Sequence, residues 1–181
     1  MNQGLLPRRY AKALYEVAVE RNDDTALYTL MQKLVEAFSQ TPGLASTMAN
    51  PFVEPADKCR LVDTAVYADG IRNSSFDDFV KLLVQNKRLD IIREAALAYI
   101  ELYRQKNSIY RVDIRSAAPL KAEMRTRLEN ILRKHIGEGT LEIEYTVDPS
   151  LIGGFTVTVN SERLDASVST ELKNLRRSLI S

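Results

Sequence analysis

The stretch SIYRVDIRS, residues 108–116, marks the point at which the periodicity of the sequence changes. From Tyr110 onward apolar and charged residues alternate, which is typical of a strand with one buried face. Upstream, from residue 4 to about residue 107, apolar residues instead recur at helical spacing. The chain is therefore predicted to be α+β, with one domain over residues 1–107 and a second over residues 108–181.

The first domain is predicted to be an all-α bundle of six helices joined by short connections. Pro42 and Pro55 each follow a polar residue, an arrangement that favours the start of a helix. The fourth helix is expected to run as far as Asp69-Gly70, and the Ser74-Ser75 pair is expected to cap the fifth. Asn86-Lys87 is expected to separate the fifth helix from a long sixth one.

The second domain is predicted to be a small α+β unit. Helical spacing returns from Leu120 to His135, without a good capping residue at its start. Two more half-buried strands follow, at residues 141–147 and 155–159. Because the turn sequence Asp148-Pro149-Ser150-Leu151 joins them, they are expected to pair antiparallel. A short strand around Leu164 and a closing helix over residues 168–179 complete the prediction.

Gly153 and Gly154 raise the alternative of a nucleotide-binding enzyme. A phosphate-binding loop needs its glycines between a strand and the following helix, where free N–H groups and the helix dipole face the anion. Here the pair enters a strand, and no Lys-Ser or Lys-Thr follows it. A structural role, at a bulge or beside closely packed backbone, is therefore favoured.

The inventory of reactive side chains disfavours catalysis. His135 is the only histidine and Cys59 the only cysteine, so neither a metal site built on several histidines nor an internal disulfide is expected. Cys59 is interpreted as a small core residue. No cofactor and no metal are predicted.

The charge balance bears on partners and location. Lys plus Arg number 25 and Asp plus Glu number 24, so no broad positive field is available for nucleic acid or an anionic membrane. No signal peptide or membrane-spanning run is recognised, which predicts a cytosolic location in a bacterium. Partners are expected to be recognised by shape and apolar contact.

Four segments together identify a family resemblance: RRYAKALYEVA (8–18), NPFVEPADK (50–58), FVKLLVQNKRLDII (79–92) and DPSLIGGFTVTVNSERLDAS (148–167). In this combination and order they resemble the delta subunit of bacterial F-type ATP synthases, whose mitochondrial counterpart is the oligomycin-sensitivity-conferring protein. The resemblance implies a non-catalytic stator subunit at the cytoplasmic face of the bacterial inner membrane, attached to the membrane only through the complex.

The resemblance also implies two partners. The helical domain would bind the N-terminal segment of the alpha subunit in a groove between the first and fifth helices, and the second domain would meet the C-terminal region of the b subunit. Carried onto this chain, the groove residues are Tyr10, Ala13, Leu14, Phe79, Leu82 and Leu83. Most of them lie on stripes that also close the bundle, whereas Leu82 lies off the main stripe. A helical adaptor of some other complex is the remaining alternative.

Overall fold

The structure of the chain is a computed structural model that describes residues 4–68, 70–151 and 154–160, except for the side chain of His135. Helices and a three-stranded sheet are both present, which confirms the α+β class. The chain divides into two compact units, residues 1–103 and 104–181. The elements are α1 Leu5–Glu20, α2 Asp24–Gln40, α3 Pro42–Ala49, α4 Pro55–Val66, α5 Ser74–Gln85, a 3-10 turn Leu89–Ile91, α6 Ile92–Lys106, β1 Ile109–Ser116, α7 Ala122–Ile136, β2 Thr140–Val147 and β3 Phe155–Val159.

The helix boundaries agree with those predicted from the sequence, with two corrections. Pro42 and Pro55 occupy the first turns of α3 and α4, where a missing N–H costs nothing. The fourth helix does not reach Asp69-Gly70, because α4 ends at Val66. The cap of α5 is Asn73 and not the Ser74-Ser75 pair, since the Asn73 side chain accepts a hydrogen bond from the amide of Phe76.

The core of the first unit is built by the apolar faces of its helices. One apolar stripe of α2 is buried, with Leu27, Met31 and Leu34 at 0% exposure. Tyrosine rings pack between α2 and α6: the rings of Tyr28 and Tyr103 stack with centroids 4.3 Å apart. Stacked rings of this kind add to the free energy already gained from their buried area.

The sheet order is β2-β1-β3, so the predicted β2–β3 hairpin is wrong. β1 lies in the middle, parallel to β2 and antiparallel to β3. The physical reason is burial: Val112 and Ile114 of β1 are completely buried, and a helix crossover through α7 brings β2 alongside β1 in parallel. The predicted turn does form, with the Leu151 amide donating to the Asp148 carbonyl, but it carries the chain past the end of β1.

One face of the sheet is apolar and packs against α7, while the other is charged. Leu128 and Leu132 of α7 are fully buried against the apolar face, within the stretch of helical spacing predicted from Leu120 to His135. α7 begins at Ala122 with no side-chain cap, as expected from its sequence. On the charged face, Arg111 Nη2 lies 2.8 Å from Glu144 Oε2. The alternation read from the sequence thus separates the two faces correctly.

Several sequence predictions lie outside the described residues. They concern Gly153, the strand around Leu164 and the closing helix over residues 168–179.

Candidate functional site

The candidate site lies where α1 and α5 run side by side in the first unit. Asn86 Nδ2 donates to the hydroxyl of Tyr10 at 3.1 Å, and Arg21 Nη1 donates to Asp78 Oδ2 at 3.0 Å. Tyr10 is near the start of α1 and Asn86 follows α5, whereas Arg21 follows α1 and Asp78 is near the start of α5. The two helices are therefore antiparallel, with a polar contact near each end.

The surface between these two polar contacts is apolar. Leu82 is four residues from both Asp78 and Asn86, so it lies on the same face of α5 as the residues that contact α1. On α1, Val17 lies four residues before Arg21. Leu82 is 41% exposed and Val17 is 37% exposed, and Ala13, one turn earlier, is exposed as well. We call the surface formed by Tyr10, Ala13, Val17, Arg21, Asp78, Leu82 and Asn86 the α1–α5 seam.

The six predicted groove residues separate into core and surface. Three are buried and pack inside the unit: Leu14, Phe79 and Leu83. Tyr10 is half-buried, and Ala13 and Leu82 are exposed. The structure therefore leaves Tyr10, Ala13 and Leu82 accessible to a partner. Val17 is accessible too, although the sequence analysis did not select it; its place on the α1 stripe was compatible with core.

Electrostatics hold one end of the seam in place. Arg21 donates to Asp78 and also approaches the Ser75 hydroxyl, at 3.3 Å. The hydrogen bond from Arg21 lowers the pKa of the Asp78 carboxyl, and Lys81 lowers it further. The lowered pKa reflects the stabilisation of the Asp78 carboxylate by the two cations beside it. The Arg21–Asp78 contact could not be predicted from the periodicity of the sequence, because the two residues are 57 positions apart.

The start of α5 is fixed by a hydrogen-bond network that the sequence analysis missed. Asn73 Nδ2 donates to Asp23 Oδ2 at 3.1 Å, and the Tyr67 hydroxyl donates to Asp77 Oδ1 at 2.9 Å. Arg72 pairs with the same Asp77 carboxylate at 3.0 Å. Burial, reinforced by the Asp77 carboxylate, raises the pKa of Tyr67 to about 12, so its hydroxyl remains a donor. The network fixes the position from which α5 runs along α1.

Cys59 is half-buried and so is not the core residue that was expected, whereas Gly154 occupies a structural position. Burial raises the pKa of the Cys59 thiol, as does the nearby carboxylate of Asp63, so little nucleophilic thiolate is present at neutral pH. Gly154 has φ = 77°, a conformation that favours glycine, and its carbonyl accepts a hydrogen bond from Ala117 at 3.2 Å. It leads directly into β3 and not into a helix. This placement is the one expected for a structural glycine.

The described residues offer neither a metal site nor a membrane-spanning helix. Within residues 4–68, 70–151 and 154–160, no group of three or more His, Cys, Asp and Glu side chains is placed to hold a metal ion. In the same ranges, no helix combines the length and the apolar character needed to cross a membrane.

Comparison with known proteins gives consistent matches over nearly the whole chain. The family model "ATP synthase delta (OSCP) subunit" matches residues 6–179. The ATP synthase subunit delta of Bacteroides thetaiotaomicron is 34% identical over 180 residues, covering 99% of this chain and 96% of that protein. The ATP synthase subunit delta of Synechococcus sp. (strain CC9311) is 31% identical over 166 residues, covering 92% of this chain and 90% of that protein.

A solved structure agrees with the sequence matches. A chain of the cryo-EM structure of the Toxoplasma gondii mitochondrial ATP synthase hexamer matches with a TM-score of 0.65 and 26% identity, covering 97% of this chain and 98% of that chain. The resemblance seen in the sequence is thereby confirmed. The chain belongs to the ATP synthase delta (OSCP) subunit family, and its role is that of a stator subunit of an F-type ATP synthase.

Proposed function

We propose that the chain joins the catalytic head of the ATP synthase to its peripheral stalk without catalysing a reaction itself. In this proposal residues 1–107 form a six-helix bundle that binds the N-terminal segment of an alpha subunit, and residues 108–181 form the α+β domain that meets the C-terminal region of the b subunit. The protein would lie at the cytoplasmic face of the inner membrane, attached through the complex, with no contact to nucleic acid. Family membership and the surface of the first unit support this assignment.

The observation that carries the proposal is the exposed apolar middle of the α1–α5 seam. A groove between two helices accepts the apolar face of a third, amphipathic helix. Leu82 and Val17 offer exposed apolar surface to such a guest, and Ala13 is small enough to let its backbone approach closely. Burying these side chains would drive binding through the hydrophobic effect.

The ends of the seam add preorganisation. The contacts Tyr10–Asn86 and Arg21–Asp78 fix the two helices against each other before any guest arrives. A groove whose geometry is already set loses little conformational entropy on binding, which increases affinity. A guest helix would therefore meet an exposed apolar strip with a polar contact at each end.

The first prediction concerns Leu82. Leu82→Asp places a carboxylate in the middle of the seam, where a bound helix would desolvate it without a partner. We expect the affinity of the full-length chain for a synthetic peptide of the alpha-subunit N-terminus to fall at least tenfold, which corresponds to about 1.4 kcal/mol. Isothermal titration calorimetry with the peptide from the same organism measures this change.

Leu97→Asp is the matched control, because Leu97 on α6 is 40% exposed, almost the same fraction as Leu82 at 41%. Its affinity for the peptide should stay within about twofold of wild type, as is usual for an exposed position outside the contact. Equal losses in both variants would show that the seam is not the binding surface. A wild-type chain that gives no heat with the peptide would favour a helical adaptor with a different partner.

A further inference from the structure

The side of α7 that faces β3 is only partly covered by the residues that the structure describes. The opposite side faces β2, because the Tyr145 hydroxyl donates to Glu129 Oε1 at 3.1 Å. Successive residues turn by about 100° around a helix, which places Met124 and Ile131 across Leu128 from Glu129 and therefore towards β3. Both are half-buried, although Leu128 is completely buried.

The sheet is open on the same side. Val157 of β3 is half-buried, whereas Ile114, its direct neighbour on β1, is completely buried. A sheet of three strands is about 14 Å wide, because neighbouring strands lie about 4.8 Å apart. A helix with its side chains is about 10 Å wide, so α7 alone leaves part of the apolar face uncovered.

A cavity of about 610 Å³ opens at the start of α7, and we call it the α7 cavity. Leu120 and Met124 line it, together with Gly154 directly before β3. The Gly154 carbonyl accepts a hydrogen bond from the Ala117 amide at 3.2 Å, which holds this wall beside the end of β1. The cavity thus continues the apolar strip formed by Met124 and Ile131.

The chain that follows β3 is long enough to reach this cavity. β3 ends at Val159, at the end of the strand opposite Gly154. A strand of five residues spans about 17 Å, and residues 161–167 can span up to about 23 Å, so Val168 can return to the level of the cavity. The apolar residues from that point recur at helical spacing: Val168, Leu172, Leu175 and Leu179.

We propose that residues 161–181 of the same chain cover the β3 side of α7 and fill the α7 cavity. The apolar residues at 168–179 face Leu120, Met124, Ile131 and Val157 in this arrangement, which buries apolar surface on both sides of the contact. A segment tethered to β3 is present at the cavity at an effective concentration in the millimolar range, so it is favoured over a second copy of the chain. The inference does not depend on either partner contact of the proposed function.

Cross-linking in the full-length chain tests the position of this segment. In a Cys59→Ser background, Met124→Cys is combined with Leu172→Cys, and a bismaleimide that spans about 10 Å, the distance between packed helices, is added. We expect a link within one chain, detected by mass spectrometry. Arg133→Cys with Leu172→Cys is the matched control and should stay unlinked, because Arg133 is exposed on the side of α7 opposite Met124.

The failure of the first pair to link, or equally fast linking of the control pair, would overturn the proposal. Links that form only between two chains, at a rate that rises with protein concentration, would also overturn it and assign the cavity to a second copy.

A second measurement follows the thiol of Met124→Cys while the segment is changed. Leu172→Asp places a carboxylate on the apolar side of the segment, where burial would desolvate it without a partner. Alkylation of the thiol by iodoacetamide should then become about tenfold faster, because it no longer waits for local opening. Asn174→Asp adds the same charge off the apolar spacing and should leave the rate within about twofold. Equal rates in the two variants would show that the segment does not cover Met124.

Discussion

At the scale of single residues, Asn73 shows how a side chain sets the geometry of the site. Its Oδ1 accepts the amide of Phe76 at 2.8 Å, and its Nδ2 donates to Asp23 Oδ2 at 3.1 Å. One amide thus caps α5 and joins it to the start of α2. The sequence placed the cap one residue too late, because Asn and Ser have nearly equal preferences for this position. The Asp23 contact, 50 positions away, had no local signal.

The second prediction tests this assignment. Asn73→Ala removes the cap acceptor and the donor to Asp23, so we expect the free energy of unfolding to fall by about 1–2 kcal/mol. Ser74→Ala is the control, since Ser74 is exposed and already lies inside α5; its effect should be below about 0.5 kcal/mol. Urea unfolding followed by circular dichroism measures both variants. A cost for Ser74→Ala as large as that for Asn73→Ala would contradict the assignment.

At the scale of elements, the helices were predictable and the strand pairing was not. Apolar periodicity is a local property, so the helical character of residues 4–107 and the starts of α3 and α4 followed from the sequence. Strand order depends on which strand is most completely buried, which is a property of the assembled unit. The turn at Asp148 looks like a hairpin turn in either order. In the candidate site, periodicity likewise separated Leu82, which is off the main stripe and exposed, from Leu83, which is buried. It could not show that Ala13, on the α1 stripe, is exposed, because that depends on how the helices pack.

The third prediction tests the sheet order by cross-linking. Asp113 of β1 is the direct partner of both Thr158 of β3 and Glu144 of β2. In a Cys59→Ser background, cysteines at 113 and 158 should form a disulfide on mild oxidation, because directly opposed residues in antiparallel strands have Cα atoms about 4.5–5.5 Å apart. Cysteines at 144 and 158 should stay reduced, since two strand spacings separate them by roughly 10 Å. Mass spectrometry without reduction distinguishes the two results. A disulfide between positions 144 and 158 and none between 113 and 158 would show that β2 and β3 pair as a hairpin.

At the scale of the whole molecule, the proposed function needs two contacts with partners within one chain. Each unit has its own core, as the buried residues of α2 and α6 in the first and of β1 and α7 in the second show. Each can therefore present a binding surface of its own, and the α1–α5 seam is the one proposed for the first unit. A stator must keep both joints closed while the rotor turns. A nanomolar contact corresponds to roughly 12 kcal/mol of binding free energy, which gives the order of stability that each joint needs.

The last prediction concerns the loss of this chain from the complex, which would break the proposed link between head and stalk. Membranes whose ATP synthase lacks this chain should still hydrolyse ATP, because the catalytic sites belong to the head. ATP-driven proton pumping should fall to background, because nothing then prevents the head from turning with the rotor. Adding back the wild-type chain should restore pumping, and Leu97→Asp should restore it equally well. Leu82→Asp should need at least tenfold more protein for the same recovery, in line with its weaker hold on the head. Parallel assays of ATPase rate and of proton uptake by a fluorescent pH probe separate the two activities. Full pumping in membranes without the chain would show that the head is held by other contacts.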